Sequence, residues 1–340
     1  MIHETSPVPD AAVAANPQLR GRTPLQVYDA VVAALTGSGF AVILNNHTNT
    51  SRWCCGIDGN ERWNSSQSTA RWADDWVFMG RRYASDPRVV GADLYNEVRR
   101  DVFDDPNWGL GDDHDWYAAA QLAADRILTE ANPDLLIVVE GINWTGLPVD
   151  GLPHGRPLLT PARTLSHTLV ATHKLVYSAH FYGYTGPRHS GATGIGETHD
   201  ARYQDLTRDQ LFQALTDEAF FVEQESGNHF TVPVWISEFG IGAGETGAAA
   251  RAWFGNVTDY FADHDADFAY WPLVGWEGHD DWAAALRHGR HRYGILDGGD
   301  WRGTAWNHLV TARPATDHSP RSRSGGCSPP TTATTCSRCG

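Results

Sequence analysis

The sequence predicts an α/β fold in which a parallel β-sheet is covered by helices. Short apolar runs alternate along the chain with segments whose apolar residues recur at helical spacing. The runs are apolar at consecutive positions, as in strands that are buried on both faces. These strand runs lie at 40–46, 89–95, 134–139, 175–181, 232–237 and 267–274. Strand–helix alternation of this kind is typical of a barrel or of an open doubly wound sheet.

Helix signals separate the strand runs. Thr23 and Pro24 form an N-cap with proline at the first helical position, and an apolar stripe from Leu25 to Leu35 follows them. Similar patterns predict the next helices at 66–84, 115–130, 207–220 and 253–260.

The ends of the strand runs decide between the two kinds of sheet. The glycine-rich turn from Gly240 to Gly244 lacks the spacing of a dinucleotide-binding fingerprint. Polar residues instead collect at the C-terminal ends of the runs, where barrel enzymes keep their catalytic groups, so we predict a TIM (β/α)8-type barrel. Only six strand runs fall within 23–313, whereas a closed barrel has eight. The predicted barrel is therefore incomplete, with the first two βα units missing from this chain.

The chain divides into three parts by composition. Residues 1–22 are predicted to be loop-like because prolines interrupt them, and 23–313 form the barrel domain. Residues 314–340 are rich in Pro, Ser, Thr, Arg and Gly, so they cannot bury enough apolar surface to fold and are predicted to be a disordered tail.

Charge and cysteine content exclude several classes of protein. With 26 Lys and Arg against 41 Asp and Glu, the net charge of -15 repels nucleic acid and anionic membranes, so we expect neither as a partner. Cys336 and Cys339 lack the second ligand pair of a zinc site, and no metal site is predicted. The 14 tryptophans indicate either a bulky core or a surface that stacks flat rings.

Two glutamates each follow a buried strand run. Glu97 comes after the run at 89–95 and Glu238 after the run at 232–237. A pair of carboxyl groups at a barrel mouth is what glycoside cleavage requires: one donates a proton to the leaving oxygen and the other attacks the anomeric carbon. On this reading one glutamate holds the proton and has the higher pKa of the two. The alternative is that both carboxylates are strand-end caps or ion-pair partners.

Five further side chains are placed to bind a sugar at the same mouth. Asn96 offers an amide to a hydroxyl, and His180 and Tyr182 point the same way from one strand. Trp271 supplies a flat ring for a pyranose, and His47 follows the first strand run. Glu140 also ends a strand run, but its segment reads equally well as a solvated loop, so it is left out of the catalytic set.

The order of these motifs along the chain resembles glycoside hydrolase family 5, the cellulase family of the retaining barrel clan. The resemblance covers roughly residues 20–312. It implies that Glu97 is the general acid/base and Glu238 the nucleophile, so Glu97 is expected to hold the proton and to have the higher pKa of the two. It also implies sugar-binding roles for five residues: Asn96 at the 2-hydroxyl, His180 and Tyr182 orienting the sugar and the nucleophile, His47 in the same subsite, and Trp271 as its aromatic platform.

One family feature is expected to be missing. The family carries an arginine at the end of the second barrel strand, close to the nucleophile, and this chain begins after that point. Neither Arg20 nor Arg22 follows a strand run, so neither is assigned that role.

The resemblance implies a retaining, endo-acting β-glycoside hydrolase that is extracellular and needs no cofactor. Its partner is a polysaccharide or oligosaccharide, and the particular β-glycan and the oligomeric state stay open. The alternatives are a non-catalytic carbohydrate-binding remnant of such an enzyme, or a related β-mannanase or glycolipid hydrolase. A histidine-based metal hydrolase is disfavoured because the 16 histidines include no His-Glu-x-x-His pattern.

Overall fold

The computed structural model describes residues 2–51, 59–191, 198–271 and 300–312. In these ranges the core is a six-stranded, all-parallel sheet whose spatial order follows the chain order. Its strands are β1 (Val42–Asn45), β2 (Val89–Asp93), β3 (Leu136–Glu140), β6 (Leu175–Tyr182), β7 (Val234–Gly240) and β8 (Asp267–Tyr270). A small antiparallel pair, β4 (Thr145–Gly146) with β5 (His154–Gly155), follows β3.

Helices connect the strands in the predicted alternation, except between β3 and β6, where the connection contains β4, β5 and two short turns of 3-10 helix, Thr160–Arg163 and Thr172–Lys174. The α-helices are α1 (Pro24–Gly37), α2 (Thr69–Arg82), α3 (Trp116–Arg126), α4 (Arg208–Glu218), α5 (Ala248–Asp263) and α6 (Gly303–Ala312). A turn of π-helix, Ile127–Ala131, continues α3. The Thr23 side chain accepts from the backbone of Gln26 and the Gln26 side chain accepts from the backbone of Thr23, so α1 begins where its capping signal predicts.

The predicted strand runs are all strands, and their parallel pairing confirms the α/β prediction. Three details differ. The helix predicted from 66 begins at Thr69, because the Ser68 side chain caps it. Residues 1–22 include two single turns of 3-10 helix, Asp10–Val13 and Pro17–Leu19. The last strand was predicted to reach 274 but ends at Tyr270, and 272–299, like the predicted tail at 314–340, lies outside the described residues.

The sheet is curled, although it is not a closed eight-stranded barrel in the described ranges. β1 and β8 stand at opposite ends of the strand order. Even so, the rings of His47, just after β1, and Trp271, just after β8, stack with centroids 5.4 Å apart and planes 4° apart. The C-terminal ends of the first and last strands therefore meet, and the fold is an incomplete TIM barrel.

Buried tryptophans fasten the C-terminal ends of the strands. The Nε1 group of Trp72 donates to the side-chain oxygen of Asn46 at 2.9 Å, and that of Trp116 donates to the backbone oxygen of Glu140 at 2.7 Å. Both indoles are 1% exposed or less and pack against Trp63. These rings serve the core rather than a sugar-stacking surface, and they fix the strand ends from which the site is built.

Across the described ranges, none of the helices combines the length and apolarity that a bilayer crossing requires.

Candidate active site

Three strands of the parallel sheet, β2, β6 and β7, carry the central side chains of the site. Glu97 follows β2, His180 and Tyr182 lie at the end of β6, and Glu238 lies on β7. The register of β6 and β7 places His180 directly beside Glu238. Because residues two apart on a strand share a face, Tyr182 projects to the same side as His180.

The two predicted catalytic carboxylates meet at one imidazole. The Nδ1 atom of His180 lies 3.0 Å from Oε1 of Glu97 and 3.5 Å from Oε2 of Glu238. One carboxylate oxygen from each glutamate and a ring nitrogen of His180 all lie within 4.8 Å of one another. Both acids are largely enclosed, with 15% of the Glu97 and 11% of the Glu238 side chain exposed. The two carboxyl groups therefore lie close together in a largely enclosed site.

Tyr182 is a second partner of Glu238. Its hydroxyl donates a hydrogen bond of 2.8 Å to Oε2 of Glu238. Burial, and then the charge of Glu238, raise the Tyr182 pKa well above its ordinary value, so the phenol keeps its proton and stays a donor. Its ring also stacks on Tyr184, with centroids 5.3 Å apart.

Glu140, which was left out of the predicted set, belongs to the site. It is 3% exposed, and its Oε2 accepts the backbone N–H of Glu97 at 2.8 Å. Its Oε1 lies 3.4 Å from Nε2 of His180, the nitrogen that also lies 2.9 Å from Oγ of Ser237. The reading of its segment as a solvated loop was wrong. The signal that identified Glu97 and Glu238, a carboxylate at the end of a buried strand, applied equally to Glu140.

The remaining predicted residues line the same end of the sheet. Asn96 is buried beside Glu97, its backbone N–H donates to the backbone oxygen of Asn46 at 3.1 Å, and its side-chain oxygen has no hydrogen-bond partner among the described residues. The Nδ1 atom of His47 lies 3.2 Å from the side-chain oxygen of Asn45, and its ring faces Trp271. All seven residues predicted from the sequence therefore lie at the C-terminal mouth.

The protonation order of the two glutamates is the reverse of the predicted one. Burial alone would raise the Glu97 pKa, but the hydrogen bond and charge of His180, helped by Arg156 and Arg99, lower it to about 2. Burial raises the Glu238 pKa to about 8 against the opposing charge of His180, and the charges of Glu97 and Glu140 add to the rise. The expectation that Glu97 has the higher pKa is wrong for this site because the imidazole lies closer to Glu97 than to Glu238.

His180 is itself held cationic by its surroundings. Burial disfavours the charged ring, yet the charges of Glu140 and Glu238 and its hydrogen bonds raise its pKa well above the ordinary value. The His180 imidazolium therefore supplies positive charge between the carboxylates. Among the ion pairs of the described residues, none joins an arginine to Glu238. Arg20 and Arg22 are both exposed, and Arg20 lies 3.9 Å from Asp10, in keeping with their exclusion from the site.

Glu97, His180 and Glu238 also have the atom types that bind metals. One possible ligand atom from each of the three residues lies within 4.8 Å of the other two, which is close enough for a shared metal ion. Both ring nitrogens of His180 lie at hydrogen-bond distance from side chains, and Glu238 accepts from Tyr182, so the geometry is accounted for by contacts within the protein.

A parallel barrel with two enclosed carboxyl groups at its mouth is the architecture of a glycosidase. A family model described as cellulase (glycosyl hydrolase family 5) matches residues 6–275, so the chain belongs to glycosyl hydrolase family 5, the cellulase family. The resemblance seen in the motif order is thereby confirmed. Members of this family hydrolyse O-glycosyl bonds.

Related proteins carry names from the same family. An endoglucanase of Paenibacillus polymyxa is 28% identical over 261 residues, which are 76% of this chain and 59% of that protein. The major extracellular endoglucanase of Xanthomonas campestris pv. campestris is 38% identical over 129 residues, or 37% of this chain and 25% of that protein. The chain thus spans less than two thirds of the length of these relatives.

Solved structures share the fold. The catalytic domain of the Xanthomonas enzyme matches with a TM-score of 0.61 and 24% identity, covering 88% of this chain and 77% of that domain. A variant of an endocellulase from Pyrococcus horikoshii, crystallised with cellotetraose, matches with a TM-score of 0.62 and 23% identity, covering 88% of this chain and 76% of that one.

Proposed function

We propose that this protein is a retaining, endo-acting β-glycanase that cleaves a β-1,4-linked glucan by double displacement. One observation carries the proposal: Glu97 and Glu238 bring carboxylate oxygens within 4.8 Å of each other at the mouth of the sheet. Retaining glycosidases hold their two carboxyl groups about 5 to 5.5 Å apart, whereas inverting enzymes separate them by about 6.5 to 9.5 Å to admit a water molecule. The close spacing supports the retaining route.

In the first step Glu97 gives its proton to the glycosidic oxygen while a carboxylate oxygen of Glu238 attacks the anomeric carbon. The bond to the leaving sugar breaks and a glycosyl ester of Glu238 forms. In the second step Glu97, now a carboxylate, takes a proton from water, and the water oxygen displaces Glu238 from the same carbon. The two inversions together retain the configuration at that carbon.

The proton count of the site suits this route. With one pKa at about 2 and the other at about 8, the pair holds a single proton across the range between them. Turnover requires this proton on Glu97 and a charged Glu238, and the shared contact with His180 keeps the two carboxyl groups close together.

The surrounding side chains supply the sugar contacts in this proposal. Asn96 contacts the 2-hydroxyl through its side-chain amide, and His47 and Trp271 line the subsite of the same sugar. The names of the relatives and the cellotetraose complex of a structural neighbour favour a β-1,4-glucan as substrate. The name of the Xanthomonas relative likewise favours an extracellular site of action.

The test is turnover of soluble β-1,4-glucan, mannan and xylan, followed by release of reducing ends. Wild type is compared with Glu238→Gln and with a control, Glu225→Gln, which alters an exposed glutamate on a loop. We expect glucan turnover that is lost in Glu238→Gln and kept in the control, while cello-oligosaccharide binding survives in both. If reducing ends are released preferentially from mannan, the proposed substrate changes from a β-1,4-glucan to a mannan. Oligosaccharide binding without turnover in wild type would identify a non-catalytic binding protein and overturn it.

A further inference from the structure

Glu97 has an unusual backbone conformation. Its φ of 49° lies in the left-handed region, which it shares with only two other non-glycine residues in the described ranges, Leu158 and Asp265. This conformation is unfavourable for a residue with a side chain, and it persists where the surroundings hold it. A strained backbone at the proposed acid/base residue calls for a group that holds it.

Glu140 makes that contact. Its Oε2 accepts the backbone N–H of Glu97 at 2.8 Å, across the neighbouring strands β2 and β3. Glu140 is 3% exposed, and a hydrogen bond in such a low-dielectric interior is electrostatically stronger than one in water. The contact fixes the direction of the Glu97 N–H, and with it the peptide plane that sets the left-handed φ.

The same carboxylate also faces the group that holds the Glu97 side chain. Its Oε1 lies 3.4 Å from Nε2 of His180, whose Nδ1 lies 3.0 Å from the Glu97 carboxylate. Glu140 thus acts on Glu97 twice, directly at the backbone and through the imidazole at the side chain.

Glu140 is itself held firmly. The backbone oxygen of Glu140 accepts from the indole of Trp116 at 2.7 Å. The next residue, Gly141, packs closely on Leu158. A Cβ atom added to Gly141 would lie 2.3 Å from the backbone carbonyl carbon of Leu158. The end of β3 is therefore a rigid support.

We propose that Glu140 is a positioning residue for acid/base catalysis: it holds the left-handed backbone of Glu97 and orients His180 against the Glu97 carboxylate, without contacting the substrate. This inference rests on the proposed function, because it assigns Glu140 a task in the same reaction.

The kinetic test compares two substrates in Glu140→Gln and Glu140→Ala. A 2,4-dinitrophenyl β-cellobioside has a leaving group that needs no proton, whereas cellotetraose requires protonation by Glu97. General acid catalysis contributes about 100-fold or more to the rate.

We expect Glu140→Ala to lower kcat/KM for cellotetraose by roughly 100-fold and for the activated substrate by less than about 10-fold. Glu140→Gln, which keeps an acceptor for the Glu97 N–H, should fall between wild type and Glu140→Ala. Equal losses on both substrates, or no loss on either, would overturn the proposal.

A structural readout keeps this inference separate from the proposed function. In a crystal structure of Glu140→Ala we expect the Glu97 φ to leave the left-handed region, and in Glu140→Gln we expect it to stay there. An unchanged φ in Glu140→Ala would overturn the backbone role whatever the activity. Wild type that turns over neither substrate would instead overturn the proposed function, and the crystal structures would still decide the role of Glu140. If Glu140→Ala does not fold, as judged by circular dichroism, the substrate comparison in Glu140→Gln decides.

Discussion

The Tyr182 hydroxyl donates a 2.8 Å hydrogen bond to the carboxylate oxygen of Glu238 that also lies 3.5 Å from His180. One strand, β6, therefore supplies both groups that hold the proposed nucleophile, since positions 180 and 182 share a face. The phenol keeps its proton, so it can stabilise the carboxylate whenever the ester bond to the sugar is absent.

Removal of that hydroxyl should weaken the chemistry more than the fold. We expect Tyr182→Phe to lower kcat by about 10- to 100-fold, because a hydrogen bond to a charged group contributes roughly 1.5 to 3 kcal/mol. The control is Tyr117→Phe, which removes a phenol whose contact is the backbone oxygen of Ser166. Steady-state kinetics on a soluble glucan checks both variants. Equal activity of Tyr182→Phe and wild type would show that the hydrogen bond has no role in turnover.

The pH dependence of activity should report the shared proton. The Glu238 pKa is raised to about 8, so the pair keeps its proton through neutral pH and loses it above that value. We expect kcat/KM to hold up to about pH 7 and to fall along an alkaline limb near pH 8. Circular dichroism at each pH separates this limb from unfolding. A fall centred near pH 5 in a folded protein would contradict the charge balance described for the site.

A second buried acid should make stability depend on pH. Burial raises the Glu218 pKa to about 7 from an ordinary value of 4.5, while Tyr203 donates to its carboxylate. The folded chain keeps a proton that the unfolded chain releases above about pH 4.5, so this contribution to stability is lost as pH rises from 4.5 to 7. Each pH unit is worth about 1.4 kcal/mol, and the loss is on the order of 3 kcal/mol.

The matched variant is Glu218→Gln, which has no proton to lose. Between pH 4.5 and 8 its free energy of unfolding should fall less than that of wild type. The stability of the variant relative to wild type should therefore be higher at pH 8 than at pH 4.5. Urea unfolding of both proteins at the two pH values measures the difference. Parallel pH dependences would show that Glu218 is ionised in the folded chain at neutral pH.

The strand ends could be predicted from the sequence because apolar runs end where polar residues begin, and in a parallel sheet those ends meet at one edge. That rule predicts that Asn96, Glu97 and Glu238 lie together. Glu140 obeys the same rule, but its own segment does not reveal the neighbouring strand that its carboxylate contacts.

Other features depend on three-dimensional detail that a pattern does not hold. The pKa values of Glu97 and Glu238 depend on their burial and on their contacts with His180, whose Nδ1 lies 3.0 Å from Glu97 and 3.5 Å from Glu238. The meeting of His47 and Trp271 follows from how strongly the sheet curls, which periodicity does not reveal. The helical pattern extends upstream to residue 66, but the Ser68 side chain caps the helix, so α2 begins at Thr69.

The glycosyl ester of Glu238 is the central claim, and it is directly measurable. The protein is incubated with 2,4-dinitrophenyl 2-deoxy-2-fluoro-β-cellobioside, whose fluorine slows release of the intermediate, and peptides are analysed by mass spectrometry. We expect one fluorosugar per chain, attached to the peptide that contains Glu238, and no label in Glu238→Gln. A label on Glu97, or turnover of glucan with inverted configuration and no label at all, would contradict it.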